Sequence, residues 1–470
     1  MEKTTIVLIT LVVYKFALIG IGFWAQRRVS DTTDFFLAGR TVGPFVSALS
    51  YSASSSSAWT LLGLSGLAYV MGVSALWVAS GSVVGMLVAW FWVGPRLLTY
   101  SHKHKMITLT DFLAHGSVGH WRRAIIVAAS IVVLVSFAFY VAAQFQGAGN
   151  TFASTFDMNS RDAIILGGLI VMVYTFLGGF WAVSVTDAVQ GTLMAAAALL
   201  LPITALVAVG GFEGFVEGLR AVSTPEQLSF SAGNVGLMAV GFIVGSLSIG
   251  LATFGQPHLL VRFMALRDND ALRQARILTT AWFAIVFGGM VFLGLAGRIL
   301  YPAVANPETV FFVMTEGLFS PVVGGIILAA VLSAIMSTAD SQLLVAAASV
   351  THDMGVGRRL GNRHLLVSRL TIAVLTILSI LVALYLPATI FNRALFAWVA
   401  LGAAFGPLVL LRLGNIHSTS VGTFFAIVVG FVMAVSLYLL PNTVGDIAER
   451  MLPFCSGLLI LWFTRQRVSP

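Results

Sequence analysis

The sequence predicts an all-α polytopic membrane protein with about thirteen transmembrane helices, two of them broken. Three observations carry this prediction. Hydrophobic residues make up 58% of the 470 and charged residues only 9%, with a mean hydropathy of +0.97, well outside soluble globular averages. The apolar residues gather into runs near the ~20 residues that cross ~30 Å of hydrocarbon. Two of these runs are interrupted by clusters of serine or of glycine and proline, which a helix facing lipid does not carry.

In chain order the apolar segments lie at 5–26, 42–70, 73–99, 124–149, 161–181, 184–210, 234–257, 277–301, 322–351, 370–388, 390–411, 418–440 and 448–464. The first is not a cleaved signal, because its long apolar run leads to Arg27 and Arg28 rather than to a small-residue cleavage site. The single cysteine, Cys455, excludes an intramolecular disulfide and a cysteine metal site. A net charge of +8 would suggest nucleic acid in a soluble chain, but here placement matters more than size. Of the 26 Lys and Arg residues, 19 fall on one set of connections, six (Lys3, Arg161, Arg220, Arg298, Arg393, Arg450) on the other, and Lys15 inside the first segment. That asymmetry predicts a multi-pass protein of the cell's inner (plasma) membrane with its N-terminus outside and its C-terminus cytoplasmic. No nucleic acid and no obligatory protein partner is indicated.

The second segment carries seven serines between Ser47 and Ser57, and the seventh carries Gly241, Gly245, Gly250, Gly255 and Pro257. Backbone freed from helical bonding inside a membrane must be satisfied by protein, water or ligand. Broken helices in corresponding places of two halves point to a transporter's midplane site. Spans two to six and seven to eleven form such halves, with opposite topology because five is odd. The alternative for the serines is a small-residue packing surface.

The ninth segment places Ser333, Ser337, Thr338, Asp340, Ser341 and Gln342 in an otherwise apolar stretch. A carboxylate near a bilayer core costs about 2.5–3.5 kcal/mol on insertion scales, so something polar must meet this helix. Ala334, Ser337 and Thr338 fall at i, i+3 and i+4 and share a face. One carbonyl and two hydroxyls grouped this way suit sodium, while hydroxyls that only bond their own helix or a neighbour are the alternative. Asp340 and Ser341 continue that face one turn further. Asp187 opens the sixth segment, where an aspartate also serves as a helix cap.

Other residues carry weaker signals. His102, His104, His115 and His120 share a loop with Lys103, Lys105, Arg122 and Arg123, which reads as a solvated basic loop near anionic lipid rather than a metal site. His258 ends FGQPH as a gate element or a helix-end cation. No Ser-His-Asp or HExxH arrangement supports an intramembrane enzyme. A solute sensor would need a signalling domain, whereas about six residues follow the last span, and a channel would not need paired broken helices. Secondary transport remains.

The stretches AGRTVGPFVSALSYSASSSSAW, YTFLGGFWAVSVTDAVQ, FGQPHLLVRFMA, ILAAVLSAIMSTADSQLLV and GAAFGPLVL resemble the sodium:solute symporter family, and among its members the bacterial sodium/proline symporters. The resemblance runs from about residue 14 to about residue 410. It implies a leucine-transporter-type 5+5 inverted repeat: residues 1–41 an extra helix and loop, 42–413 the transport core with repeats 42–210 and 234–413, and 414–470 two further helices. It also implies sodium-driven uptake of a small solute, proline or a related amino acid, with sodium as coupling ion and no other cofactor. Sodium-driven or proton-driven uptake of another small carboxylate or amino acid is the alternative.

By position the resemblance assigns sodium to the backbone of Ala53, Ser56 and Ala334 and the hydroxyls of Ser337 and Thr338. It puts Asp187 on the sodium exit route and, with Asp340 and Ser341, suggests a second cation or proton site. It assigns the solute to Ser55, Ser57, Trp59, Tyr140, Ile249 and Thr253, and helical spacing adds Gln144, four residues beyond Tyr140 on the same face. Three of these depart from the proline symporters, which carry an acid in place of Ser55 and aromatic residues in place of Ile249 and Thr253. Gln144 either offers an amide to the solute or bridges helices.

Overall fold

A computed structural model describes residues 3–26, 36–177, 180–360, 363–440 and 446–466. Of the cations counted above, Arg27, Arg28 and Arg467 and the side chains of Lys3, Lys15 and Arg358 lie outside the described residues. Helices account for the architecture, and the only strand-like pairs among the described residues are the isolated bridges Val42–Leu266 and Ser418–Arg465.

The chain begins with α1 (Lys3–Gln26). The second span starts as α2 (Pro44–Ser55) and resumes through a wide helical turn, Trp59–Gly63, into α3 (Leu64–Met71). Gly72, at φ 68°, turns the chain into α4 (Leu76–Val88) and α5 (Gly94–Lys103). A short α6 (Leu109–Ala114) leads to α7 (Gly119–Phe156), α8 (Ser160–Leu177) and α9 (Phe180–Ala208). After an amphipathic α10 (Gly211–Val222), the seventh span runs as α11 (Gly236–Leu247), a 3₁₀ stretch Ser248–Gly255 and α12 (Pro257–Ala265). Then come α13 (Asn269–Leu300), α14 (Val310–Leu318), α15 (Pro321–Ala348), α16 (His364–Tyr385), α17 (Ile390–Leu413), α18 (Ser420–Tyr438) and α19 (Ile447–Phe463).

Nine helical runs among the described residues are long and apolar enough to cross a membrane, against the thirteen segments expected. The difference has simple causes. The run Trp59–Lys103 joins two expected segments, while α1, α8 and α19 are not among the nine. Burial sorts the runs: in their most apolar windows 83% of Pro321–Asp353 and 89% of Ile390–Leu413 is buried, against 33% of His364–Tyr385 and of Ser420–Tyr438. Thus α15 and α17 form the centre, and α16 and α18 turn much of their surface outward.

The broken spans sit against those central helices. Helix α2 packs against α9, α13, α15 and α12, and the 3₁₀ stretch lies between α4 and α17. Glycines permit the second contact: a Cβ on Gly85 would meet Gly250 O at 2.3 Å, and one on Gly402 would meet Ala252 Cα at 2.3 Å. The chain between α5 and α7 is tied to the end of the ninth span, where Thr108 Oγ1 donates to Asp353 Oδ1 at 2.7 Å and His352 Nε2 lies 3.3 Å from Asp111 Oδ2. Burial pushes the Asp111 carboxyl up, but hydrogen bonds from His352 and from the N–H groups of Ile107 and Thr108 hold it below its usual range. Asp111, His352 and Asp353 come within 4.8 Å of one another, and their contacts make them a latch between two segments. In the histidine loop, the His104 and His115 rings lie with centroids 4.4 Å apart, tilted by 50° to each other, and His102 Nε2 meets Met264 O at 3.1 Å.

Candidate functional site

Two chain breaks create the site. Helix α2 stops at Ser55, and Ser56 takes φ −107°, ψ 77°, so the N–H groups that begin the next piece lose their helical partners. Gln144 Oε1 on α7 accepts from Ala58 N–H at 3.0 Å, and Ser57 Oγ accepts from Trp59 N–H at 3.3 Å. Gln144 thus bridges α7 and the break, one of its two expected roles. Gln144→Met keeps volume and removes the acceptor, leaving a buried N–H unpaired at a cost of about 1–3 kcal/mol. A clear fall in the thermal midpoint of the purified protein is expected, and an unchanged midpoint would exclude the strut. At the other break Gln256 Nε2 donates to Ala252 O and Trp398 O, each at 2.9 Å, and Trp398 Nε1 donates to Ile249 O at 3.1 Å.

The face predicted on the ninth span meets the end of α2. Ser337 Oγ donates to Ala53 O at 3.2 Å and Ala334 O at 3.3 Å, and Thr338 Oγ1 donates to Ser54 O at 3.1 Å. Ala53, Ala334, Ser337 and Thr338 are thus brought together as a neutral cluster of carbonyls and hydroxyls, fully buried. Ser56 N–H returns to Ser52 O at 3.1 Å, and its Oγ is buried without a hydrogen-bond partner. Ser55 Oγ also turns back, to Ser52 O at 2.8 Å.

One turn further lies a charged cluster. Ser54 Oγ lies 3.2 Å from Asp187 Oδ2, 2.9 Å from Ser337 O and 3.0 Å from Ser341 Oγ, while Ser50 Oγ donates to Asp187 Oδ2 at 2.8 Å. Ser341 Oγ lies 3.3 Å from Asp340 Oδ1, so Asp187, Asp340 and Ser341 do assemble. Their company was not foreseen. Arg262 on α12 places Nη2 2.8 Å from Asp187 Oδ2, with side chains only 2% and 0% exposed. Among the described residues it is the one ion pair buried on both sides.

This corrects three expectations. Arg262, counted among the loop cations, is an internal counter-ion, because α12 continues the seventh span to Ala265. Asp187 is no cap, since α9 begins at Phe180, two turns earlier. His258 is no helix-end cation near terminal carbonyls: it lies in the first turn of α12 and is buried, with its ring 5.5 Å from Phe137 and 6.1 Å from Tyr140. Ser50, Ser54 and Arg262 were missed, although Ser50 and Ser54 are spaced i, i+4 within the serine run and Arg262 follows His258 by four.

The solute-side residues gather around α17. Trp59 lies edge-on to Phe287 and Phe391, with centroids 5.7 and 6.0 Å away, and 6.5 Å from Trp398. Tyr140 lies 6.2 Å from Trp398, and its buried hydroxyl, without a hydrogen-bond partner, faces Ser57 and Trp59. Thr253 Oγ1 is likewise buried and unpartnered. Trp59, Ile249, Phe391, Ala394, Leu395 and Trp398 enclose a crevice of about 10 Å³, room for one water at most. Anything larger than a water would need these walls to part.

Paired breaks, an oxygen cluster at one of them and an aromatic crevice beside it define the class as a polytopic membrane transporter. The fold matches a sodium-coupled sialic acid symporter solved substrate-bound and outward-open, with TM-score 0.80, 18% identity, and 98% of this chain and 99% of that one covered. It also matches a nucleobase-cation-symport-1 family transporter in a closed conformation, with TM-score 0.59, 15% identity, and 93% and 96% covered. The chain belongs to the sodium:solute symporter family, whose family model matches residues 35–430. It is similar to the sodium/proline symporter of Staphylococcus aureus strain JH9, 37% identical over 418 residues, 86% of this chain and 80% of that relative.

Proposed function

We infer that this protein is a sodium-coupled symporter that takes up proline or a closely related small amino acid across the plasma membrane. The observation that carries the reading is the neutral oxygen cluster of Ala53, Ala334 and Ser337, in which Ser337 Oγ lies 3.2 and 3.3 Å from the two carbonyls. Such a cluster suits a cation that exchanges its water for protein oxygens, and it lies at a helix break, where freed carbonyls are available. Thr338 and the backbone at Ser56 complete the proposed ligand set. Spans two to six and seven to eleven are read as inverted halves, 42–210 and 234–413, that rock about this centre, with the N-terminus outside and the C-terminus cytoplasmic. Similarity to a sodium/proline symporter over 86% of the chain supports proline. Trp59, Tyr140 and Trp398 offer flat apolar faces to a compact ring, and Ser55, Ser57, Ile249 and Thr253 complete the proposed solute wall. The unpartnered Thr253 hydroxyl favours a second reading, a more polar amino acid or small carboxylate.

The test is uptake of labelled proline into proteoliposomes under an inward sodium gradient, beside an equal potassium gradient, with unlabelled competitors. Sodium-driven accumulation is expected. Equal uptake in both salts overturns sodium coupling; sodium-driven uptake of a competitor with none of proline assigns the second reading. Ser337→Ala is expected to raise the sodium concentration for half-maximal uptake roughly 5- to 150-fold, as loss of one oxygen ligand worth about 1–3 kcal/mol requires.

A further inference from the structure

Helix α1 lies outside the two proposed halves, yet it packs on α15 and α9, the helices that carry Ser337 and Asp187. Thr10 Oγ1 turns back to Ile6 O of its own helix at 2.9 Å, the ordinary use of a threonine in an apolar helix. Tyr14 does not turn back. Its hydroxyl shares a hydrogen bond with Ser333 Oγ on α15, and the direction of that bond is fixed. A serine hydroxyl has one proton, and Ser333 donates its own to Ala329 O at 2.7 Å, so Tyr14 is the donor to Ser333. The carboxamide of Gln190 on α9, buried with Oε1 and Nε2 both unpartnered, faces the same Tyr14 hydroxyl, and its N–H can donate to the oxygen that has given up its proton.

We propose that Tyr14 is a positioning residue for sodium, acting through Ser333 to hold the turn of α15 that presents the Ala334 carbonyl. This rests on the sodium-symport reading above. Ser333 directly precedes Ala334 and stands four residues before Ser337, so Ser333 and Ser337 share a face of α15. A bond made at Ser333 therefore constrains the side of the helix on which the oxygen cluster lies. Ala334 O is 3.3 Å from Ser337 Oγ, and oxygens already held in place lose less freedom when an ion arrives. Gln190 repeats the relation on α9, three residues after Asp187, so one hydroxyl of α1 stands between the two helices. A directional bond is needed there. Apolar contact is non-directional, and toward α8 a cavity of about 690 Å³, lined by apolar side chains such as Leu8, Phe16, Leu166 and Met336, opens between the helices. Packing alone leaves α1 free to turn or slide on α15; the Tyr14 bond sets its register.

The experiment measures equilibrium binding of labelled sodium to the purified full chain without solute, beside the thermal midpoint and the proline concentration for half-maximal uptake at saturating sodium. Tyr14→Phe removes the hydroxyl alone and is expected to weaken sodium binding about 2- to 12-fold, the equivalent of one ordinary hydrogen bond, with half-maximal proline unchanged. Ser333→Ala is expected to weaken it by a similar factor. Tyr14→Phe/Ser333→Ala is expected to lose no more than either single variant, because all three remove the same bond. Unchanged sodium binding in Tyr14→Phe, or a double variant whose loss is the product of the two singles, overturns the proposal. A lowered thermal midpoint with sodium affinity intact overturns it too, leaving Tyr14 as a fastener of α1 and nothing more. Should Tyr14→Phe not survive purification, Ser333→Ala decides, and unchanged sodium binding there overturns the proposal. A wild-type protein that binds no sodium would instead bring down the symport reading itself.

Discussion

Asp187→Ala is expected to cost about 3–5 kcal/mol of stability, the usual penalty for stripping the partner from a buried charge. Arg262 would keep its serine hydroxyls but lose, among the described residues, its only carboxylate contact within 4 Å. Hydroxyls share a guanidinium's hydrogen bonds without cancelling its charge, and Arg262 is only 2% exposed to bulk solvent. The sharper expectation concerns the pair: Asp187→Ala/Arg262→Met, which removes both charges and fills part of the volume, is expected to recover most of the loss. Thermal denaturation of the two single variants and the double variant at fixed sodium concentration yields the coupling energy. A double variant as unstable as the sum of its parents would show that the two residues do not act as a pair.

Gly402→Val is expected to abolish folding or transport. A Cβ there would fall 2.3 Å from Ala252 Cα, and the obstruction is backbone, which no rotamer change relieves. Ordinary overpacking costs about 1–3 kcal/mol because side chains can shift; this site is expected to exceed that range. The 3₁₀ stretch has no slack on its other side, since Cβ atoms on Gly81 and Gly85 would each come within 2.3 Å of backbone carbonyls in the seventh span. Gly288 on α13 is the control, because a Cβ there meets nothing within 4 Å, and Gly288→Ala gains about 1 kcal/mol of helix propensity. Measured by folded yield and sodium-driven uptake, the two substitutions are expected to fall at opposite extremes.

The breaks were legible in the sequence because serine, glycine and proline violate the composition of a lipid-facing helix, and the face of Ala334, Ser337 and Thr338 because helical spacing needs no tertiary knowledge. Arg262 was hidden by its place near the end of an apolar run, where a basic residue reads as a loop cation; only the extension of α12 to Ala265 carries it inside. Asp187 was misread for the mirror reason, a helix that begins earlier than its apolar core. Phe391 and Trp398 escaped notice because aromatics in an apolar helix look alike whether they line a crevice or fill a core. Their discovery alters the meaning of Ile249 and Thr253: the aromatic wall lost from the seventh span has a counterpart on α17.

Tyr14 of α1 shares a hydrogen bond with Ser333, across 319 residues of chain, and Ser337 reaches Ala53 across 284. During synthesis these two contacts therefore wait until the ninth span has left the ribosome and entered the bilayer. Contacts so distant in sequence form late and slowly. A nascent chain released before residue 341 holds the serines of the second span without the hydroxyls of the ninth, so the buried oxygen cluster assembles as a single late event rather than accumulating helix by helix.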